Sequence, residues 1–271
     1  MSTTTPTTTP AQPARTSSAM SATFASSSLI KLEIVRTLRN KRFMFFSVIY
    51  PSVLFLIISG PASKTAKVPH TDLTMQLYYL VAMASFGALT AVLMGNSERI
   101  AKEREKGWTR QLRLTALPGH GYVIAKIASA ATVTLPTIVV VEVVAAAVKD
   151  VRMQAWQWVA LTVAIWAGSL VFAALGVAIG YLASGDAVRP LTMIIYFALS
   201  ILGGLWMPST IFPTWLQNIA KWLPTHPYAA LGQAIEVGHA PHLRDVLVLA
   251  GYLVVFAGGA AWLYRKDTRK A

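Results

Sequence analysis

The sequence predicts an all-α polytopic membrane protein with six transmembrane helices. Three observations carry the prediction. The chain is 55% hydrophobic and only 13% charged, whereas soluble globular domains carry about 25% charged residues. Its apolar residues fall into runs long enough to cross a bilayer core, which takes about 20 helical residues. Its Lys and Arg residues alternate between rich and poor loops, as they do across a membrane.

Residues 1–28 are rich in Ser, Thr, Ala and Pro and contain one charge, Arg15. They have no apolar core of signal-peptide length and too little apolar surface to order themselves, and so read as a disordered cytoplasmic tail. The membrane domain is expected over 29–265, with a basic cytoplasmic tail at 266–271. Within Leu29–Asn40, Leu29, Leu32, Val35 and Leu38 recur every third residue, while Lys31, Arg36 and Arg39 point elsewhere. That pattern predicts an amphipathic helix lying in the headgroup region.

The first span is expected at Phe43–Ser59, near the lower length limit for a crossing. Its Pro51 is tolerable where neighbouring helices satisfy the freed carbonyl. Further spans follow at Leu77–Gly95, Tyr122–Val148, Trp158–Ala183, Leu191–Met207 and Val246–Tyr264. Between the fifth and sixth lies Met207–His242, with five prolines (208, 213, 224, 227 and 241) and the aromatics Trp215, Trp222 and Tyr228. Its apolar pieces are too short to cross, and aromatic rings favour the interface. Short helices at the outer face meet both conditions.

The formal net charge is +13. One side would hold Lys31, Arg36, Arg39, Lys41, Arg42, Arg189 and the basic C-terminus, which puts both termini in the cytoplasm. With no base-stacking surface of interleaved aromatics, that charge does not indicate nucleic acid. The chain has no cysteine, which removes disulfides and thiolate metal sites. His239 and His242 stand close in sequence but lack a third ligand, so no metal site and no catalytic residue is expected.

One hydrophilic stretch stands apart. From Glu98 to Arg113 the chain carries nine charges: Glu98, Arg99, Lys102, Glu103, Arg104, Glu105, Lys106, Arg110 and Arg113. It can be read as a solvated helix extension held by pairs such as Glu98 with Lys102 and Glu103 with Lys106. It can also be read as a docking element for a protein partner. Gly107 interrupts the helix, Trp108, Leu112 and Leu114 offer an apolar contact, and Pro118-Gly119 turns the chain back.

The series Glu103-Arg104-Glu105-x-Gly107, Leu112, Leu117-Pro118 and Lys126 resembles the permease subunits of ABC-2 type transporters. The resemblance continues at Gly203-Gly204-x-x-Met-Pro208, at Pro213-x-Trp-Leu216 and at Leu223-Pro224-x-x-Pro-Tyr228, so it covers about residues 29–265. Its N-terminal stretch is similar to members serving bacterial drug and antibiotic efflux. The resemblance implies a transporter half in the bacterial cytoplasmic (cell inner) membrane, paired with a second permease subunit, identical or related, and with ABC ATPase subunits. Glu103, Arg104, Glu105, Gly107, Trp108, Leu112 and Pro118 map onto the ATPase-coupling loop, with a coupling helix after Gly107. Trp108 departs from the small or Thr-like residue common there. The chain has no G-x-x-x-x-G-K-[ST] phosphate loop, so ATP and Mg belong to the partner and this chain is not an enzyme.

Glu142 lies inside the third span, where an acid is costly. It is read either as sitting near the outer end of its span, reaching interfacial water or pairing with Lys149 or Arg152, or as part of a substrate path or outer gate. Gly168, Gly176 and Gly180 give the fourth span a small-residue face for helix packing. Two other readings are weighed: an ion-gradient-driven secondary transporter, which needs more intramembrane acids than Glu142, and an intramembrane lipid-modifying enzyme, which needs clustered catalytic groups.

Overall fold

The computed structural model describes residues 35, 39–69, 71–107, 119–183 and 185–270. The tail at 1–28, most of the amphipathic stretch, and the coupling helix with Trp108, Leu112 and Pro118 lie outside the described residues. Among the described residues the chain is helical, with one isolated bridge between Lys67 and Thr74.

Lys41–Met44, the π-helical Phe45–Ile49 and Tyr50–Ile58 run on as one helix, α1. Pro51 sits in the first turn after the π segment. There the wider turn accommodates a residue without an N–H. The apolar part, Phe45–Ile58, is shorter than the spans that follow.

Met75–Leu89, π-helical Thr90–Met94 and Gly95–Glu105 form a continuous α2. Thr74 caps it by accepting from the Leu77 amide. The charged stretch therefore begins as the end of a spanning helix, not as a separate loop. Gly119–Val148 is α3 and carries Pro136 without interruption. Ala155–Leu182 is α4, opened by a capping box of Gln154 and Gln157. At 28 residues it is about 42 Å long, enough to cross a hydrocarbon core of about 30 Å with some tilt.

Val188–Leu202 is α5. It stops short of the Met207 expected from hydropathy, because the chain turns at Gly203-Gly204, where Gly204 has φ +83°. A side chain there would be strained. Thr214–Ala220 is α6, Thr225–Glu236 is α7, and Leu243–Lys270 is α8.

Five of these helices are long and apolar enough to cross a membrane: α2, α3, α4, α5 with its preceding turn, and α8. Helix α2 forms the centre, with 83% of its apolar window buried, whereas α8 has 11% and lies at the periphery. The core gathers Phe55, Leu80, Met83, Phe86, Leu93, Ile138, Leu161 and Phe172 around α2 and α4. Helix α7 inserts Tyr228 beside Phe172, and the Tyr228 hydroxyl donates to the Ile165 carbonyl at 3.0 Å. Thr90 meets Tyr196 at 2.7 Å, and Thr192 donates to Ser97 at 2.9 Å, joining α2 to α5.

Candidate functional site

The end of α2 places successive charged side chains on different neighbours. Glu103 accepts from Lys126 Nζ at 2.7 Å, and Lys126 is almost fully buried at the start of α3. Arg104 turns the other way. Its Nη1 donates to the carbonyls of Gly180 and Ala183, both at 3.0 Å. Its Nε and Nη2 fork onto Asp267 near the end of α8, at 3.1 and 2.6 Å. The guanidinium also lies 5.4 Å from the centre of the Tyr181 ring.

This arrangement follows from residue chemistry. A planar guanidinium with five donors can hold two helix-end carbonyls and a carboxylate together, which a lysine cannot. A cation at the C-terminus of α4 also meets the negative end of its helix dipole. Glu98 is shared between Lys102 at 3.9 Å and Arg189 at 3.7 Å. Glu105 and Lys106 are exposed. Gly107, with φ +68° and nothing within 4 Å of where a Cβ would stand, ends α2 in the left-handed region.

Consecutive residues just before Gly107 therefore grip α3, α4 and α8. That end of α2 is thereby tied to three other helices by ion pairs and hydrogen bonds.

The glycines of α4 set how closely it meets its neighbours. A Cβ on Gly176 would stand 2.9 Å from the Val92 carbonyl oxygen, and one on Gly180 2.8 Å from Ile100 Cβ. Both therefore face α2. Gly168 faces the Tyr228 ring, 2.4 Å from such a Cβ.

At the opposite end, Glu142 is buried and accepts from the Thr162 hydroxyl at 2.7 Å. Of the alternatives weighed for Glu142, the pairing with Lys149 or Arg152 is not the one seen. Lys149 donates to the Ser59 carbonyl at 2.6 Å, and Arg152 pairs with Asp150. Both cations sit beyond the end of α3, where the chain has left the helix and turned to other partners.

Residues 61–263 match the family described as ABC-2 family transporter protein. The chain belongs to the ABC-2 transporter family. It is also similar to the "Putative transport permease YvfS" of Bacillus subtilis (strain 168), at 28% identity over 87% of this chain and 95% of that protein. With its family and its several spanning helices, it is a multi-pass membrane protein and a permease of the ABC transporter class.

Two functional candidates escape sequence reasoning. Asp267, late in α8, reads as part of a solvated basic tail, and nothing local marks it as the partner of Arg104. Glu236 lies in the stretch read only as short outer-face helices and is not singled out there, yet it is buried with neither carboxylate oxygen hydrogen-bonded. The one signal in the sequence is that Glu236 ends a run, Ala229–Ile235, in which Gln233 is the single polar residue. Among the described residues no group of three or more His, Cys, Asp or Glu side chains could hold a metal ion.

Proposed function

We propose that this chain is the membrane subunit of an ATP-driven exporter, moving an amphipathic drug, antibiotic or lipid-like molecule out across the bacterial cytoplasmic membrane. ATP is hydrolysed on a separate ABC ATPase, and a second permease copy or relative completes the transporter. The observation that carries this reading is the divergent grip of Glu103 and Arg104. The sequence segment that resembles an ATPase-docking loop emerges from a helix end that is tied to three other helices. Closure of the ATPase dimer would move Gly107 and the loop beyond it, and α2 would pass the displacement to α3, α4 and α8. Such a partner can shift the permease only through contacts that differ between its two states.

In this reading α1 is a sixth span and both termini are cytoplasmic, supported by the distribution of Lys and Arg. Helices α6 and α7 then form an outer cap, with exposed Trp215 and Trp222 at the interface. The broad exposed apolar faces of α5 and α8, including Ile194, Phe197, Val254 and Val255, would meet lipid or the second permease.

The test is to purify the chain together with a phosphate-loop ATPase and ask which amphipathic compounds stimulate ATP hydrolysis. Stable association and compound-stimulated turnover support the exporter. A second reading, ion-gradient-driven transport, is favoured by one observation, the second buried acid Glu236. It predicts compound movement in vesicles given a proton gradient and no ATP.

A further inference from the structure

Glu142 and Glu236 are both about 94% buried, each with 6% relative exposure. They come from different helices, α3 and α7, and both lie against α4. Thr162 of α4 donates to one oxygen of Glu142. Gln157 of α4 donates to the backbone carbonyls of Ile235 and Glu236 at 2.9 and 3.1 Å. That leaves Glu142 Oε1 and both side-chain oxygens of Glu236 without a hydrogen-bond partner.

Among the described residues no Lys, Arg or His forms an ion pair with either carboxylate. Glu142 bears on Glu236 as a like charge, and the donors that α4 supplies, Gln157 and Thr162, are neutral. Lys149 is committed to the Ser59 carbonyl and Arg152 to Asp150. From α8 and α6, Asp245, Arg244 and Lys221 act on His226. His239 and His242, in the link to α8, are exposed, and the side chain that α2 brings to this end, Gln76, is neutral and donates to the Lys149 carbonyl.

A carboxylate cannot remain ionised, buried and unpaired without a cost of many kcal/mol, and such a group takes up a proton instead. Glu236 has a further reason to do so. It is the last residue of α7, at the negative end of that helix dipole, where a second negative charge is unfavourable. Burial, and then the neighbouring Glu142, push its carboxyl well above the usual carboxylate range.

We propose that Glu142 and Glu236, both buried against α4, form a proton-binding pair that holds the C-terminal turn of α7 on α4, at the end of the bundle opposite Gly107. Protonated, the pair is neutral and packs. Ionised, its two like charges drive the C-terminal turn of α7 out of the bundle. The site takes a proton as its ligand, and it stands independently of any coupling to ATP.

The sign follows from linkage. The folded state holds a proton that the unfolded chain has released once pH exceeds the ordinary carboxylate value. Stability is therefore full below that value and falls as pH rises towards the folded-state value.

The test uses the full-length permease in lipid nanodiscs. Infrared spectra at neutral pH should show the carbonyl stretch of a protonated carboxylic acid, weakened in Glu236→Gln and further in Glu142→Gln/Glu236→Gln. Because the chain has no cysteine, Ile235→Cys, on the buried face of α7, can be labelled with maleimide and compared with the exposed Val237→Cys. Labelling of Ile235→Cys relative to Val237→Cys should rise with pH in the wild-type background and stay flat in the double glutamine background. Absence of the protonated-acid band in the wild type would overturn the proposal. So would a metal site, seen as suppression of Ile235→Cys labelling by millimolar calcium or magnesium that the double glutamine background abolishes.

Discussion

Arg104 and Asp267 are 163 positions apart in sequence, yet they meet in a two-pronged ion pair, with Nη2 to Oδ1 at 2.6 Å and Nε to Oδ2 at 3.1 Å. The pair fastens the last turns of the C-terminal helix to the end of the second helix. Asp267 keeps 29% of its side chain exposed and Arg104 18%, so solvent screens the pair in part. Its strength comes from geometry, since a bidentate fork outlasts a single exposed contact.

Replacing Arg104 by Ala should lower thermal stability by about 1–3 kcal/mol, because two charge-assisted bonds and two helix-end carbonyl contacts are lost together. Lysine should not restore it, since an ammonium cannot span the carbonyls and the carboxylate at once. Thermal unfolding of Arg104→Ala and Arg104→Lys in the same detergent checks this. A lysine variant as stable as wild type would count against the fork.

Much of the helical frame was legible in the sequence, and little of this network was. Spans such as α4 are visible because a bilayer demands long apolar helices, and that demand is written residue by residue. The glycines Gly168, Gly176 and Gly180 are visible as small residues along one helix, but which neighbour each meets is not: Gly176 and Gly180 face α2, and Gly168 faces the Tyr228 ring of α7. Arg104 with Asp267, and Glu103 with Lys126, depend on how helices distant in sequence are arranged. No local pattern encodes that. Glu236 was hidden differently, since an acid ending a short helix in a proline-rich segment looks solvated until its neighbours close over it. The C-terminal end of α5 falls before Met207 because Gly203-Gly204 turns a chain whose hydropathy would let the helix continue.

Glu103 and Lys126 should show direct coupling. In a double-mutant cycle of Glu103→Gln and Lys126→Met, the interaction energy should be about 0.5–3 kcal/mol, the range for residues in contact. The double variant should be destabilised by less than the sum of the two single changes. Additive effects, measured by unfolding in matched micelles, would mean that the 2.7 Å contact contributes little.

Two glycines should fail in different ways. Gly180→Ala drives a methyl towards Ile100 and the Ser97 carbonyl oxygen, and should cost about 1–3 kcal/mol through overpacking. Gly107→Ala meets no neighbour within 4 Å, but must hold φ +68° at a cost of about 1–2 kcal/mol. That cost falls on the local turn. The first variant should show reduced stability and yield. The second should insert and fold normally but lose compound-stimulated ATP hydrolysis. Equal behaviour of the two in both assays would contradict this division.

The most direct test concerns where the ATPase docks. Trp108→Cys and Leu112→Cys supply unique thiols for a photo-activated cross-linker, with Lys64→Cys and Lys221→Cys as controls towards the opposite end. Cross-linking to the ATPase subunit from positions 108 and 112, and not from 64 or 221, is the predicted result. Capture of the ATPase from 64 or 221, with none from 108 or 112, would contradict the assignment of the Glu103–Gly107 segment as the place where force enters the permease.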